Sequence, residues 1–491
     1  MAGKKAATLP RISPIEPNLY MIPDVLHRYY QPLPIIARIV TVCLSTWRAF
    51  VSTKWTKAPS FSFLLLRQTA GFLFRSVAWF LIAQTVLQET LFVGSRPSRV
   101  TMKTLLQDYF LPSTLSKYNP ITIDPIPSIT DGSSITSTTE NERYTLGVHY
   151  IQYNNTNFSE ETDAQEENED SDAETELSTG SNTKRRSFDA VYFQHGFGAS
   201  SLSWLPVLPA MVQQMNARVG LGHDTVGFGW TDRPRDRRWY RPRQGARIAR
   251  AILGRETRDE PSRPVCLVGH SMGSRATLRL ATQLPPETPK LIVLASPALG
   301  LIAPRPPREP PSSRPAKLAG AVSAAVARRI VRPVSRYALR RAIGARGFWR
   351  KGLESIWGHP ERLTEDGDVL RYSWPAVGYG WEEGILNFAS AQVLPVDDAL
   401  DDDYDLMREV LDLPHTKVVI VLGSRDLVIP TKSVERFMER VLSSGSPEEI
   451  DQKDVPIVEL EGLGHIAFEE DQKTFCEAVE HLVRDHWDTR S

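Results

Sequence analysis

From Tyr144 to the C-terminus short apolar runs recur at intervals, and mixed segments of roughly helical period lie between them. RYTLGVHYIQY, DAVYFQ, ARVGLG, PVCLVG, KLIVLAS, KVVIVLG and PIVELEG have the length and β-branched content of strands. From Asp189 onward these runs alternate with helical or loop stretches. That alternation predicts a largely parallel sheet with helices on both faces, an α/β fold. In such a sheet functional residues collect on the loops that leave the carboxyl ends of the strands.

Two regions break the rhythm. SEETDAQEENEDSDAETELSTGSNTKRR is acidic and nearly free of large apolar residues. It cannot bury enough surface to offset its ordering entropy and is expected to be disordered. Because DAVYFQ follows at once, the run is read as a long hairpin insertion between two strands of one sheet. The other exception is the dense apolar stretch Phe61–Gly94. Arg67, Arg75, Gln84, Gln88 and Glu89 interrupt it, whereas a membrane span needs about 20 nearly unbroken apolar residues. A helix lying in the membrane interface, with Trp79 and the phenylalanines inserted, is the expectation. A helix packed on the folded α/β domain is the plainer alternative. The acid-poor, basic leader also has the composition of a plastid or mitochondrial targeting segment.

The pattern therefore divides the chain into an N-terminal extension (1–98), a linker with the first strands (99–154), the acidic insertion (155–187), a first core part (188–299), a basic, aromatic-rich inserted segment (300–399) and a second core part (400–491). Lys and Arg number 58, as do Asp and Glu, so the overall charge gives no sign of a nucleic-acid partner. Cys43, Cys266 and Cys476 lie far apart, which argues against a disulfide framework or zinc site and for a reducing, intracellular compartment. Charge matters locally, in the first half of the 300–399 segment. There 13 Lys and Arg face the single acid Glu309 between Ala303 and Lys351. A proline-rich connector opens it, and a basic helical pattern follows that Pro333 kinks or divides. One sign of charge on such a stretch suits an anionic surface, such as anionic lipid. An anionic partner protein, an acidic substrate and docking of the chain's own acidic insertion are the alternatives. The second half of that segment is rich in Trp, Tyr and Phe, which suits the lining of a pocket for a bulky apolar group.

The chemistry stands at the strand ends. His195-Gly196-Phe197-Gly198 follows DAVYFQ, and Gly-His-Ser-Met-Gly places Ser271 between Gly269 and Gly273 at a strand-to-helix junction. Ser424-Arg425-Asp426 follows KVVIVLG, and Leu463-Gly464-His465 follows PIVELEG. Serine needs a histidine to take its proton, and the histidine needs a carboxylate to hold its tautomer. Ser271, Asp426 and His465 supply these parts. His270 is read as a packing or access residue and His195 as a shaper of its loop.

HGFGASSLSW, DTVGFGWTDRP, GHSMG, GSRDLVIP and GLGHIAFEE together resemble the α/β-hydrolase fold superfamily, in its serine esterase and lipase-like group. The resemblance covers about Asp189–Leu299 and Leu400–Trp487, with the strand near Tyr144–Tyr153. It implies Ser271 as nucleophile, His465 as general base and then acid, and Asp426 as the orienting carboxylate. It further implies a structural role for Asp224, an alternative acid site at Pro297–Gly300, which offers no carboxylate, and a cap over the pocket formed by the 300–399 insertion. It also implies an oxyanion hole from the backbone N–H groups of Phe197 and Met272, with Gly196, Gly269 and Gly273 setting loop and elbow geometry. The expected activity is hydrolysis of a carboxylic ester or thioester of a lipid-like substrate by a membrane-associated enzyme, without metal or organic cofactor. Acyl transfer on the same triad is the alternative, loosely suggested by Glu470 five residues beyond His465; a non-catalytic binding or scaffold protein is the other.

Overall fold

A computed structural model describes residues 116–123, 144–158, 187–234, 236–257, 263–301, 331–343, 346–373, 380–393, 402–443 and 455–487. The Phe61–Gly94 stretch, the proline-rich connector and nearly all of the acidic run lie outside them. Two compact units divide the chain: Lys103–Arg308 with Trp349–Ser491, and Met1–Met102 with Glu309–Phe348.

The larger unit is built on one eight-stranded sheet. Its strands are β1 (Ser116–Ile123), β2 (Tyr144–Asn154), β3 (Phe188–Gln194), β4 (Ala217–His223), β5 (Val265–His270), β6 (Lys290–Ala295), β7 (Thr416–Gly423) and β8 (Ile457–Leu460), in the spatial order β1-β2-β4-β3-β5-β6-β7-β8. β1 and β2 pair antiparallel, as do β2 and β4, and every pair from β4 to β8 is parallel. Helices α1 (Leu208–Gln214), α2 (Pro242–Glu256) and α3 (Gly273–Gln283) follow β3, β4 and β5. β3, β5 and β6 are buried at every position, as strands covered on both faces must be. This explains why they read as unbroken apolar runs. In the smaller unit the described residues include helix α4 (Arg332–Ile343). Pro333 lies in its first turn, where the missing N–H is no loss.

Seven strands stand where the apolar runs predict them. The eighth, SKYNPITI, falls in the proline-punctuated linker, because an edge strand half open to solvent has a weaker pattern: its burial alternates only near its end. The hairpin reading of the acidic run is incorrect. β2 and β3 belong to one sheet, but β4 lies between them and pairs with both, so β2 and β3 do not form a hairpin. Periodicity identifies strands; it does not identify their partners. Among the described residues no helix is long and apolar enough to cross a membrane.

Candidate active site

β5 ends at His270, and Ser271 turns the chain into α3 with φ 51°, a left-handed backbone that a side chain other than glycine rarely adopts. The elbow is locked by Ser271 N–H donating to Ala295 O at 3.0 Å and by Ser274 and Ala298 N–H groups donating to Ser271 O, both at 3.1 Å. A Cβ at Gly273 would lie 2.5 Å from Gln194 O, and one at Gly196 would lie 2.8 Å from His270 Nδ1. Both glycines let the β3 loop and the elbow approach closely. Gly269 is packed likewise against Thr277 and Ser274.

The three separate strand ends meet. Ser271 Oγ–H donates to His465 Nε2 at 3.0 Å, and His465 Nδ1–H donates to Asp426 Oδ2 at 2.7 Å. All three residues are buried. The second oxygen of Asp426 accepts from the N–H groups of Val428 and Ile429, both at 2.8 Å, so the carboxylate cannot rotate freely. A serine that can pass its proton to an oriented imidazole can form a covalent intermediate.

The predicted donors flank this serine. Met272 is the N-cap of α3, where unpaired N–H groups and the helix dipole favour negative charge. Phe197 follows Gly196, whose carbonyl accepts from His195 Nδ1–H at 2.8 Å. His195 Nε2 in turn accepts from Thr225 N–H at 2.9 Å, which fixes the tautomer. Burial holds His195 below the usual imidazole range, outweighing Asp224 and Gly196, so the ring remains neutral. The C=O and N–H of a trans peptide point in opposite directions. Fastening the Gly196 carbonyl to His195 therefore turns the Phe197 N–H away from His195. His195 shapes the loop, as the sequence suggests.

Asp224 sits outside this chain. Its Oδ1 accepts from Ser201 N–H at 2.7 Å and Ser201 Oγ at 2.6 Å; its Oδ2 accepts from Trp230 N–H and His149 Nδ1–H, both at 2.7 Å. Burial pushes its carboxyl up, but His149, His195 and Ser201 prevail and hold it well below the usual range. It is a cross-brace for three segments of chain. His270 does more than pack. Its Nε2–H donates to the backbone carbonyl of His465 at 3.0 Å, and the two rings lie 4.8 Å apart. Burial, reinforced by His465, keeps His270 neutral. A second protonated ring here would oppose an imidazolium at His465.

Phe197 is 61% exposed, and its ring contacts Phe228 and Phe388, with ring centroids 5.4 and 5.9 Å away. Phe388 belongs to helix α5 (Trp381–Val393), in the aromatic half of the cap. An aromatic wall thus begins at the residue that carries one predicted oxyanion donor.

The profile of the alpha/beta hydrolase family matches residues 191–478. The chain belongs to that family. The match begins within β3 and ends in the helix α6 (Gln472–His486), so it spans the elbow, the cap and all three residues of the hydrogen-bonded chain. No curated protein matches the sequence. Among solved structures, the bromoperoxidase of Bacillus anthracis is similar at 14% identity and TM-score 0.43, covering 70% of this chain and 97% of that one. An esterase of Exiguobacterium antarcticum is similar at 13% identity and TM-score 0.42, covering 69% and 96%. The 2-hydroxy-6-oxo-6-phenylhexa-2,4-dienoate hydrolase of Rhodococcus is similar at 16% identity and TM-score 0.42, covering 75% and 100%. Likenesses this distant say nothing of substrate.

Proposed function

We propose that this alpha/beta hydrolase is a serine hydrolase that cleaves a carboxylic ester or thioester carrying a bulky apolar group. One observation carries the reading: Ser271, at a strained φ of 51°, donates to a histidine that donates to a doubly anchored aspartate. Ser271 Oγ attacks the carbonyl carbon while its proton passes to His465 Nε2. Asp426 holds the Nδ1–H and offsets the charge of the imidazolium. The carbonyl oxygen, now an anion, is received by the N–H groups of Phe197 and Met272; losing one such donor typically costs about 3–4 kcal/mol of transition-state stabilisation. His465 returns the proton to the leaving group, the acyl-enzyme forms, and water repeats the sequence to release the acid. The wall of Phe197, Phe228 and Phe388 supports an apolar substrate, since it starts where the reacting carbonyl would sit. No cofactor takes part in this reading. Attachment to an anionic membrane surface belongs to it, through the basic half of the cap and the apolar Phe61–Gly94 stretch.

A fluorophosphonate probe tests the chemistry. Wild-type protein is expected to label at Ser271 and to hydrolyse p-nitrophenyl octanoate. Ser271→Ala should not label and should lose several orders of magnitude of turnover while remaining folded. Unchanged esterase activity in Ser271→Ala would overturn the assignment.

A further inference from the structure

Glu470 ends the short turn Ala467–Glu470 and is buried, yet it has no place in the serine–histidine–aspartate chain. Its oxygens are taken up by backbone N–H groups. Oε2 accepts from Gly464 and Gly358, both at 2.9 Å, and Oε1 accepts from His359 at 2.5 Å. Gly464 immediately precedes His465, while Gly358 and His359 belong to the cap. With all three donors on its carboxylate, Glu470 is not presented to a reacting group, so the acyltransferase hint drawn from its spacing finds no support in its contacts.

The same cap segment touches the site twice more. Ile356 O accepts the backbone N–H of His465 at 2.7 Å, and Gly358 O accepts from Nη1 of Arg425, the neighbour of Asp426, at 3.2 Å. A Cβ on Gly464 would collide with Ile356 O and stand 2.5 Å from Gly358 N, so the two backbones are in direct contact. The main chain of His465 is therefore held on every side. The cap takes its N–H, His270 holds its C=O, and Glu470 holds the N–H of the residue before it. Glu469, next in line, grips a different part of the cap through Tyr372 Oη at 2.7 Å and Arg371 Nη2 at 2.6 Å, and touches none of these backbone groups.

Resting on the serine-hydrolase reading, we infer that Glu470 is a positioning residue, which fastens the His465 loop to the cap segment Ile356–His359 so that His465 Nε2 stays in reach of Ser271 Oγ. Turnover then depends on that segment being seated. A displacement of about 1 Å in a catalytic group can cost on the order of a hundredfold in rate, and a carboxylate bound to three N–H groups is what resists it.

Glu470→Gln keeps one oxygen but turns an NH2 group toward at least one of the donors. With p-nitrophenyl octanoate its kcat is expected to fall about ten- to a hundredfold, with KM within about twofold of wild type, because no substrate contact is lost. Fluorophosphonate labelling should slow by a similar factor. Glu470→Asp, which keeps the charge but withdraws it, should give the same split and serves if the glutamine variant does not fold. Glu469→Gln weakens a separate tie to the cap, through Tyr372 and Arg371, and should lower the melting temperature while leaving kcat within about twofold. A folded Glu470→Gln with wild-type kcat, or an equal loss of kcat in Glu469→Gln, would overturn the inference while leaving the serine assignment intact. Failure of the wild type to label would instead overturn the serine-hydrolase reading, and this inference with it.

Discussion

Asp426→Asn should disable the site by way of a tautomer. In the wild type Oδ2 faces His465 Nδ1–H at 2.7 Å and Oδ1 accepts from Val428 and Ile429 N–H groups at 2.8 Å each. An asparagine has one oxygen, and two donors compete for it on the Oδ1 side against one on the Oδ2 side. Placing the oxygen toward Val428 and Ile429 satisfies both, and the NH2 group then faces His465 Nδ1. That nitrogen must accept, so Nε2 carries the proton and cannot take one from Ser271. The productive flip would forfeit two hydrogen bonds at about 1 kcal/mol each and leave N–H groups facing NH2, at about 1–3 kcal/mol for a buried one. Val428 is 46% exposed, which puts its share at the low end. The flip is thus disfavoured by about 3–5 kcal/mol, and at 1.36 kcal/mol per decade kcat should fall by roughly 10²–10⁴. The assay is steady-state hydrolysis of p-nitrophenyl octanoate, with a thermal melt to show that the variant is folded. An asparagine variant within tenfold of wild-type kcat would refute the reasoning.

Asp224→Asn gives the contrasting result. It loses one or two of four charge-assisted bonds and should destabilise the fold by about 2–5 kcal/mol with kcat nearly unchanged, read by denaturant titration alongside kinetics. Because the folded carboxyl of Asp224 is held below its unfolded value of about 3.9, its contribution is complete above that pH and is lost as pH falls toward the folded value. The stability gap between wild type and Asp224→Asn should therefore narrow below about pH 4. Gly273→Ala places a methyl group 2.5 Å from Gln194 O and 2.6 Å from His195 O; it should lower the melting temperature and abolish fluorophosphonate labelling together. Full-length protein should float with anionic liposomes at low salt and release in part near 1 M salt, where the Debye length is about 3 Å; no flotation on any lipid composition would assign the cap's charge to another partner.

Much of this molecule is legible in its sequence because the signals are local. Strands buried on both faces must be apolar throughout, so β3 to β7 declare themselves, and an elbow needs a serine between small residues over five positions. Ser271 and Asp426 follow from their places after such strands, and His465 from its place after the short edge strand β8. Pairing is not local. β4 enters between β2 and β3 although it follows both in sequence, and no periodicity records that. The edge strand β1 escapes notice because one exposed side carries no apolar pattern. The offset of Glu470 from His465 is visible in the sequence, but its meaning depends on three N–H groups, two of them from a segment more than a hundred residues away. His270 is likewise visible as a neighbour of the serine, whereas its bond to the His465 carbonyl exists only because β5 and the loop after β8 converge. Sequence determined which groups could react; tertiary structure decided which groups hold them in place, because backbone hydrogen bonds between distant segments depend on geometry that side-chain identity does not encode.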